Sequence, residues 1–227
     1  MTEFVLAFGL FLVLHSVPAV PAIRQSLIAV AGRRTYLSLY SLVSIAVLAW
    51  LFHAALNTDY IALWDPRPWQ GHLTLIAAPA GLFLVLAGLF SPNPLSITLR
   101  QCGTPGAIAS VTRHPVLWGF LLWSLGHLVA NGDLRSLLLF GGFALFSLAG
   151  MAMLDRRARQ RLGRQWQSLA ENAPLLPLSA ILSAGERLRV DAAMVLAATL
   201  TALLTIWLLA GGHAWLFGAD PLSLLDS

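Results

Sequence analysis

The chain has 227 residues, 58% of them hydrophobic and 11% charged, with a mean hydropathy of +0.76. Soluble domains carry about 25% charged residues, so this composition excludes a water-soluble globular domain and predicts an all-α, polytopic membrane helix bundle in a single integral domain over 1–227. All fourteen basic residues are Arg and the pI is near 10.2, yet they fall between apolar segments and not in a basic patch with interleaved aromatics, which argues against a nucleic-acid partner.

In chain order, the first apolar segment runs from Glu3 to Ile23 and contains His15, with Pro18 and Pro21 shortly after it. Proline removes an amide donor and clashes one turn back, so a kink or an end is predicted just past the histidine. The opening Met-Thr-Glu-Phe lacks the positive region of a secretory signal, so this segment is expected to stay in the mature protein. Arg24, Arg33 and Arg34 mark a loop, and Thr35 to Leu56 form a second span with His53 near its exit. Trp64 and Trp69 bring amphipathic rings to a headgroup interface around the next loop, Asn57 to Pro68. A third span opens at His72 and runs to about Phe90.

After a polar connection through Arg100 and Cys102, the stretch TRHPVLWGFLLWSLGHLVANGD, Thr112 to Asp133, forms the fourth span. About twenty apolar residues rise roughly 30 Å as a helix, the thickness of a bilayer's hydrocarbon core. Asn131-Gly132-Asp133 is a tight polar turn of residues that tolerate left-handed backbone. The fifth span covers Leu134 to Leu154, with Gly141, Gly142 and Gly150 available for close helix approach. Asp155 to Val190 is polar and Arg-rich, and its Leu162, Trp166 and Leu169 fall at helical spacing, so an amphipathic surface helix is expected there. A last span runs from Asp191 to Phe217.

Orientation follows from the Arg distribution. The loops after the first, third and fifth spans hold three, two and seven Arg, and those after the second and fourth hold one each. Arg-rich loops stay in the cytoplasm, so about six spans with both termini outside are predicted in a bacterial inner membrane. The single Cys102 excludes an intramolecular disulfide and reads as an incidental loop thiol.

Chemistry, if the chain performs any, rests on its six histidines. Ionisable groups inside a membrane are costly and default to functional roles. His53, His72 and His213 lie near span ends, where an imidazole can meet water. His15 falls about 17 Å below the outer surface by helical rise, near mid-bilayer. His114 and His127 stand about 140° apart around one helix, which implies two separate environments. His127 shares a face with Trp123, Ser124 and Asn131. Arg113-His114-Pro115 is a positively charged helix start with proline in the first turn, where its missing donor is harmless. No HExxH, phosphate loop or nucleophile elbow is present. Two imidazoles from different helices in a dry aromatic bundle suit an intramembrane haem.

Three separated motifs carry a resemblance: His15-Ser16 followed by Arg24, the string RHPVLWGFLLWSLGHLVANGD, and LDRRARQRLGRQWQSLAENAPLLPL. Over about residues 5 to 190 the chain resembles the NnrU family, which includes bacterial proteins associated with denitrification and an isomerase branch acting on 15-cis-zeta-carotene. The resemblance implies haem b with His15 and His127 as metal ligands and catalytic residues. His114, Arg113 and Asn131 are further candidates for the cofactor site. The isomerase has a cysteine one turn before the later histidine, and this chain has Ser124 there, so a thiolate ligand is not expected. His127 lies about 6 Å from the outer surface by the same rise, which leaves His15 mismatched with it in depth, and His15 with His114 has a similar mismatch from the other side. The expected partners are membrane lipid and a lipophilic small molecule whose cis/trans isomerisation reduced iron would assist.

The RHP start followed by a polar segment also resembles the isoprenylcysteine carboxyl methyltransferase and phospholipid methyltransferase families. That likeness implies S-adenosylmethionine held by Arg113, His114 and the Asp155 to Arg164 region, with Asp155 and Arg156 standing where those families place paired glutamates. A non-enzymatic accessory protein of nitrogen-oxide metabolism is the third expectation.

Overall fold

The computed structural model describes residues 1–16, 20–100, 103–179 and 189–225, and its elements are helices. Pro18, Cys102 and Arg187 lie outside these residues, and with them the kink predicted at Pro18. Among the described residues there is no strand, only one isolated bridge between Ala62 and Asp133. Among the described residues, four helices are long and apolar enough to cross a membrane: Arg33–Leu56, Pro68–Phe90, Leu134–Leu162 and the broken helix Ala192–Phe217. The chain is therefore an all-α membrane protein. It divides into two compact units, residues 1–62 with 133–135, and residues 63–132 with 136–227.

The first unit holds α1 (Thr2–Ser16), α2 (Pro21–Ala31) and α3 (Arg33–Leu56). Phe4, Ala7 and Phe11 recur at helical spacing and are the buried residues of α1, which packs along α3. Trp50 Nε1 of α3 donates to Glu3 Oε1 at 2.8 Å, anchoring the start of α1. The predicted single segment to Ile23 is thus two helices either side of residues 17–19. The expected loop at Arg24 is helical, since Pro21 is preset for a first turn and the residues after it are good helix formers. Past α3, Arg135 donates to the carbonyls of Leu56 and Thr58, each at 2.9 Å, and pairs with Asp133 at 3.4 Å.

The second unit is organised on α4 (Pro68–Phe90) and α6 (Pro115–Asn131), its closest helix pair. Pro68 starts α4 earlier than His72, and Gln70 reaches back to accept from Arg67 N at 2.6 Å. Close approach rests on glycines spaced seven apart on both helices: Gly81 meets Gly119, Gly88 meets Pro115 and Val116, and Gly126 meets Thr74 and Ala77. A Cβ on Gly81 would stand 2.5 Å from the Gly119 carbonyl oxygen. Thr74 Oγ1 adds a hydrogen bond across the pair to Gly126 O at 2.7 Å. This corrects the expectation for Gly141, whose added Cβ would meet only Leu137 of its own helix; Gly150 does pack, against Leu117.

Short α5 (Ile108–Val111) precedes α6, and α7 (Leu134–Leu162) continues eight residues past the predicted end at Leu154. A turn at Gly163 leads to α8 (Gln165–Glu171), so the surface helix expected around Leu162, Trp166 and Leu169 is split. Its apolar face is nevertheless real: all three pack against Leu95, Ala158 and Ala173. Asp191 caps α9 (Ala192–Trp207) by accepting from Met194 N at 2.9 Å, and its other oxygen accepts from Ala107 N at 2.8 Å. A π-turn, Leu208–Gly212, then breaks the last helix before α10 (His213–Phe217).

α1 and α6 have 15 and 17 residues. At 1.5 Å per residue they rise about 22 and 26 Å, short of a hydrocarbon core of about 30 Å.

Candidate functional site

The two histidines of the RHP helix stand in different surroundings, as their angular separation predicts. His114 precedes the first residue of α6 and is fully buried. Its Nε2 lies 3.0 Å from Asp155 Oδ1 and its Nδ1 3.0 Å from Ser96 Oγ. Burial pulls its pKa below the ordinary histidine value and Arg113 adds to this, outweighing the upward pull of Asp155. The neutral ring therefore donates Nε2–H to the carboxylate, which can only accept, and accepts from the serine hydroxyl.

Arg113 is consumed in the same cluster. Its guanidinium donates to Asp155 Oδ2 at 2.7 Å, to Ala173 O at 3.0 Å and to Ala170 O at 3.2 Å. It also lies over the Trp166 ring at 5.3 Å, and Arg159 lies over the same ring at 4.1 Å. The backbone joins in. Arg113 N donates to Pro174 O at 2.7 Å, Leu178 N to Val111 O at 2.9 Å, and Thr112 Oγ1 and Trp118 Nε1 both reach Leu175 O. The RHP turn is a latch that clamps the segment after α8 onto the head of α6. Its polar groups are bonded to the protein itself.

Because the unfolded chain takes up a proton near pH 6.5 that buried His114 resists, its contribution to stability is complete above that pH and lost as pH falls below it. Thermal unfolding in detergent is expected to shift downward from about pH 7 to about pH 5, and His114→Gln, which does not titrate, is expected to flatten that dependence.

His127 sits in the last turns of α6. Its Nδ1 is 2.8 Å from Trp123 O, a group that only accepts, so the hydrogen is on Nδ1 and the Nε2 lone pair is bare. No hydrogen bond from the described residues reaches Nε2. The ring lies 4.7 Å from Trp123 and 5.0 Å from Phe140 of α7. One turn earlier, Ser124 is fully buried with no hydrogen-bond partner for its hydroxyl among the described residues. Asn131 is exposed and its Nδ2 donates to His127 O at 2.6 Å.

His15 belongs to the other unit, on α1. Its Nδ1 is likewise 2.8 Å from the carbonyl one turn back, Phe11 O, and its ring lies 4.2 Å from Phe11 and 6.2 Å from Tyr40 of α3. His53 and His72 are exposed, as expected of span ends. His213 is not simply a span end: its ring centre is 6.5 Å from that of His127 with planes 23° apart. The consecutive Gly211 and Gly212 inside an apolar run were the signal in the sequence that this helix breaks before its histidine.

Comparison with known proteins places these residues in a family context. The NnrU protein family matches residues 3–221. A curated relative, the chloroplastic 15-cis-zeta-carotene isomerase of Zea mays, is 24% identical over 190 residues, covering 80% of this chain and 51% of the relative. The chain thus spans about half the length of that relative. No solved structure matches.

Proposed function

This chain belongs to the NnrU family, and from that premise we propose that it is an integral membrane protein holding haem b in its helix bundle and acting, in isomerase-like fashion, on a lipophilic substrate. The observation that carries this is His127. An imidazole with Nδ1 tied to a carbonyl and Nε2 bare is in the tautomer that ligates metals, and it stands among Trp123 and Phe140, which suit a flat apolar macrocycle. The likeness to the isomerase gives the second ligand to His15, whose Nδ1 is tied in the same way. Ser124 supplies no thiolate, so ligand exchange onto sulfur is not part of the proposal.

Haem, when bound, supplies an iron centre able to polarise a conjugated chain and lower its barrier to cis/trans rotation. The protein's part is to orient and to exclude water. A groove of about 400 Å³ runs between α4 and α9, lined by Pro79, Phe83, Ala198, Thr201, Thr205 and Ile206. Thr201 Oγ1 is buried and without a hydrogen-bond partner among the described residues. An apolar body with one polar group fits such a lining. The Arg-rich segment after α7 is proposed to face the cytoplasm of a bacterial inner membrane, with both termini outside.

Purified protein supplemented with haem is expected to show a Soret band with haem at one equivalent per chain, lost in His127→Ala. Wild-type protein without a Soret band after supplementation would remove the proposal.

A further inference from the structure

We infer that the groove between α4 and α9 binds a lipid-soluble molecule by an oxygen that the molecule itself carries, a hydroxyl or a carbonyl, with the Thr201 hydroxyl as its donor. This rests on the reading of that groove as the place of a lipophilic substrate and deepens it by naming the chemical class, but it does not depend on haem.

The first argument is depth. Pro79 stands eleven residues after Pro68, where α4 begins, and Thr201 nine residues after Ala192, where α9 begins. At the helical rise these are about 16 and 14 Å along their helices, near the middle of a hydrocarbon core of about 30 Å. Water is not available there to pair with a polar group.

The second is the hydroxyl itself. Threonine and serine in an apolar helix usually donate to the carbonyl one turn back or to a neighbouring helix. Thr199 does so to Val195 O at 3.0 Å, Ser147 to Phe143 O at 2.8 Å and Thr74 to Gly126 O at 2.7 Å. Thr201 does not. Its side chain lines the groove and the residue is 8% exposed, yet its Oγ1 has no hydrogen-bond partner among the described residues. Rotation about χ1 between staggered wells exchanges its methyl and hydroxyl at the groove wall. Thr205 lines the same groove one turn further along α9. The other lining side chains, Pro79, Phe83, Ala198, Ala202 and Ile206, hold neither donor nor acceptor. An oxygen entering the groove therefore meets the threonines.

The third is what can bring an oxygen to this depth. The acyl chains of a phospholipid cannot, because their ester groups stay at the interface. A helix of a second copy offers backbone carbonyls already bonded along their own helix. A free lipid-soluble molecule with a hydroxyl or carbonyl can. The groove, at about 400 Å³, falls within the roughly 300–1,000 Å³ of small-molecule sites, which are apolar with a few placed polar groups.

The probes are canthaxanthin and β-carotene, which share one polyene skeleton and differ in two ring carbonyls. Neither is chiral, so circular dichroism in the polyene band of the purified protein arises only from molecules that the protein holds. Wild type is expected to half-saturate with canthaxanthin at a concentration about tenfold below that for β-carotene, the scale of one hydrogen bond. Thr201→Val keeps the shape and removes the hydroxyl, and is expected to abolish the preference while leaving the β-carotene titration in place. Thr201→Ser restores a hydroxyl and is expected to keep the preference. Equal half-saturation in wild type, no induced band with canthaxanthin, or a preference that survives in Thr201→Val overturns the inference. Haem supplementation is read separately: a missing Soret band in wild type removes the haem proposal and leaves this one standing.

Discussion

Replacing Arg113 with alanine is expected to destabilise the second unit by about 3–5 kcal/mol, the range for breaking a buried ion pair by removing one partner. Arg113 and Asp155 are 11% and 15% exposed at their side chains and 2.7 Å apart, so solvent screens the pair little. Losing the guanidinium leaves Asp155 with only the neutral ring of His114 as donor, and leaves the carbonyls of Ala170 and Ala173 without their side-chain partner. Arg113→Lys keeps the charge, but its donors all radiate from one nitrogen, whereas Arg113 reaches its three partners from Nε, Nη1 and Nη2, so it should recover only part of the loss. Arg100→Ala, at an exposed position, should be near neutral. Thermal or denaturant unfolding in detergent reads all three. Proteolysis between α8 and residue 178 reads the same event locally, because the latch holds that segment. A stability of Arg113→Ala within about 0.5 kcal/mol of wild type, the range for surface substitutions, would contradict the latch.

The second large effect is expected where α4 crosses α6. In Gly119→Ala the new Cβ would meet the carbonyl oxygen of Gly81 and the Val85 side chain at 2.7 Å and its backbone nitrogen at 2.8 Å. Backbone atoms cannot swing aside as a side-chain end can, so the helices must separate. Overpacking of this sort costs about 1–3 kcal/mol, and separation also strains the Thr74 to Gly126 hydrogen bond. Gly141→Ala is the control: its Cβ meets only Leu137 at 3.9 Å, and alanine is the better helix former by about 0.5–1 kcal/mol. The two substitutions are chemically identical and should move unfolding in opposite directions. Since His127 follows Gly126 of this crossing, the haem proposed above is expected to be retained less in Gly119→Ala and equally in Gly141→Ala.

Reading the chain as a string of apolar segments found most helices but misplaced their ends. α7 runs on through Asp155 to Leu162 because the Arg, Ala, Gln and Leu that follow Asp155 are good helix formers. The segment around Arg24 reads as a loop by charge, yet it is helical. Charge marks where a chain meets water, and a helix can meet water without ending. Equally, Arg113 and His114 stood out as candidates because ionisable groups beside an apolar helix are rare, but rarity does not distinguish a ligand from a latch.

Composition and local pattern alone determined that this protein is helical and belongs to a membrane, that proline opens α6 and that Asn-Gly-Asp closes it. Those properties depend on residues within a turn or two of one another, and on transfer of side chains from water to lipid. What only the tertiary structure decided is which groups face each histidine: Asp155 and Ser96 for His114, Phe140 and His213 for His127. Those partners come from other helices, and the glycine crossing of α4 with α6 and the π-turn before His213 set their approach. No periodicity along one segment encodes the distance to another, so the surroundings of His114 and His127 separated only when the helices were packed.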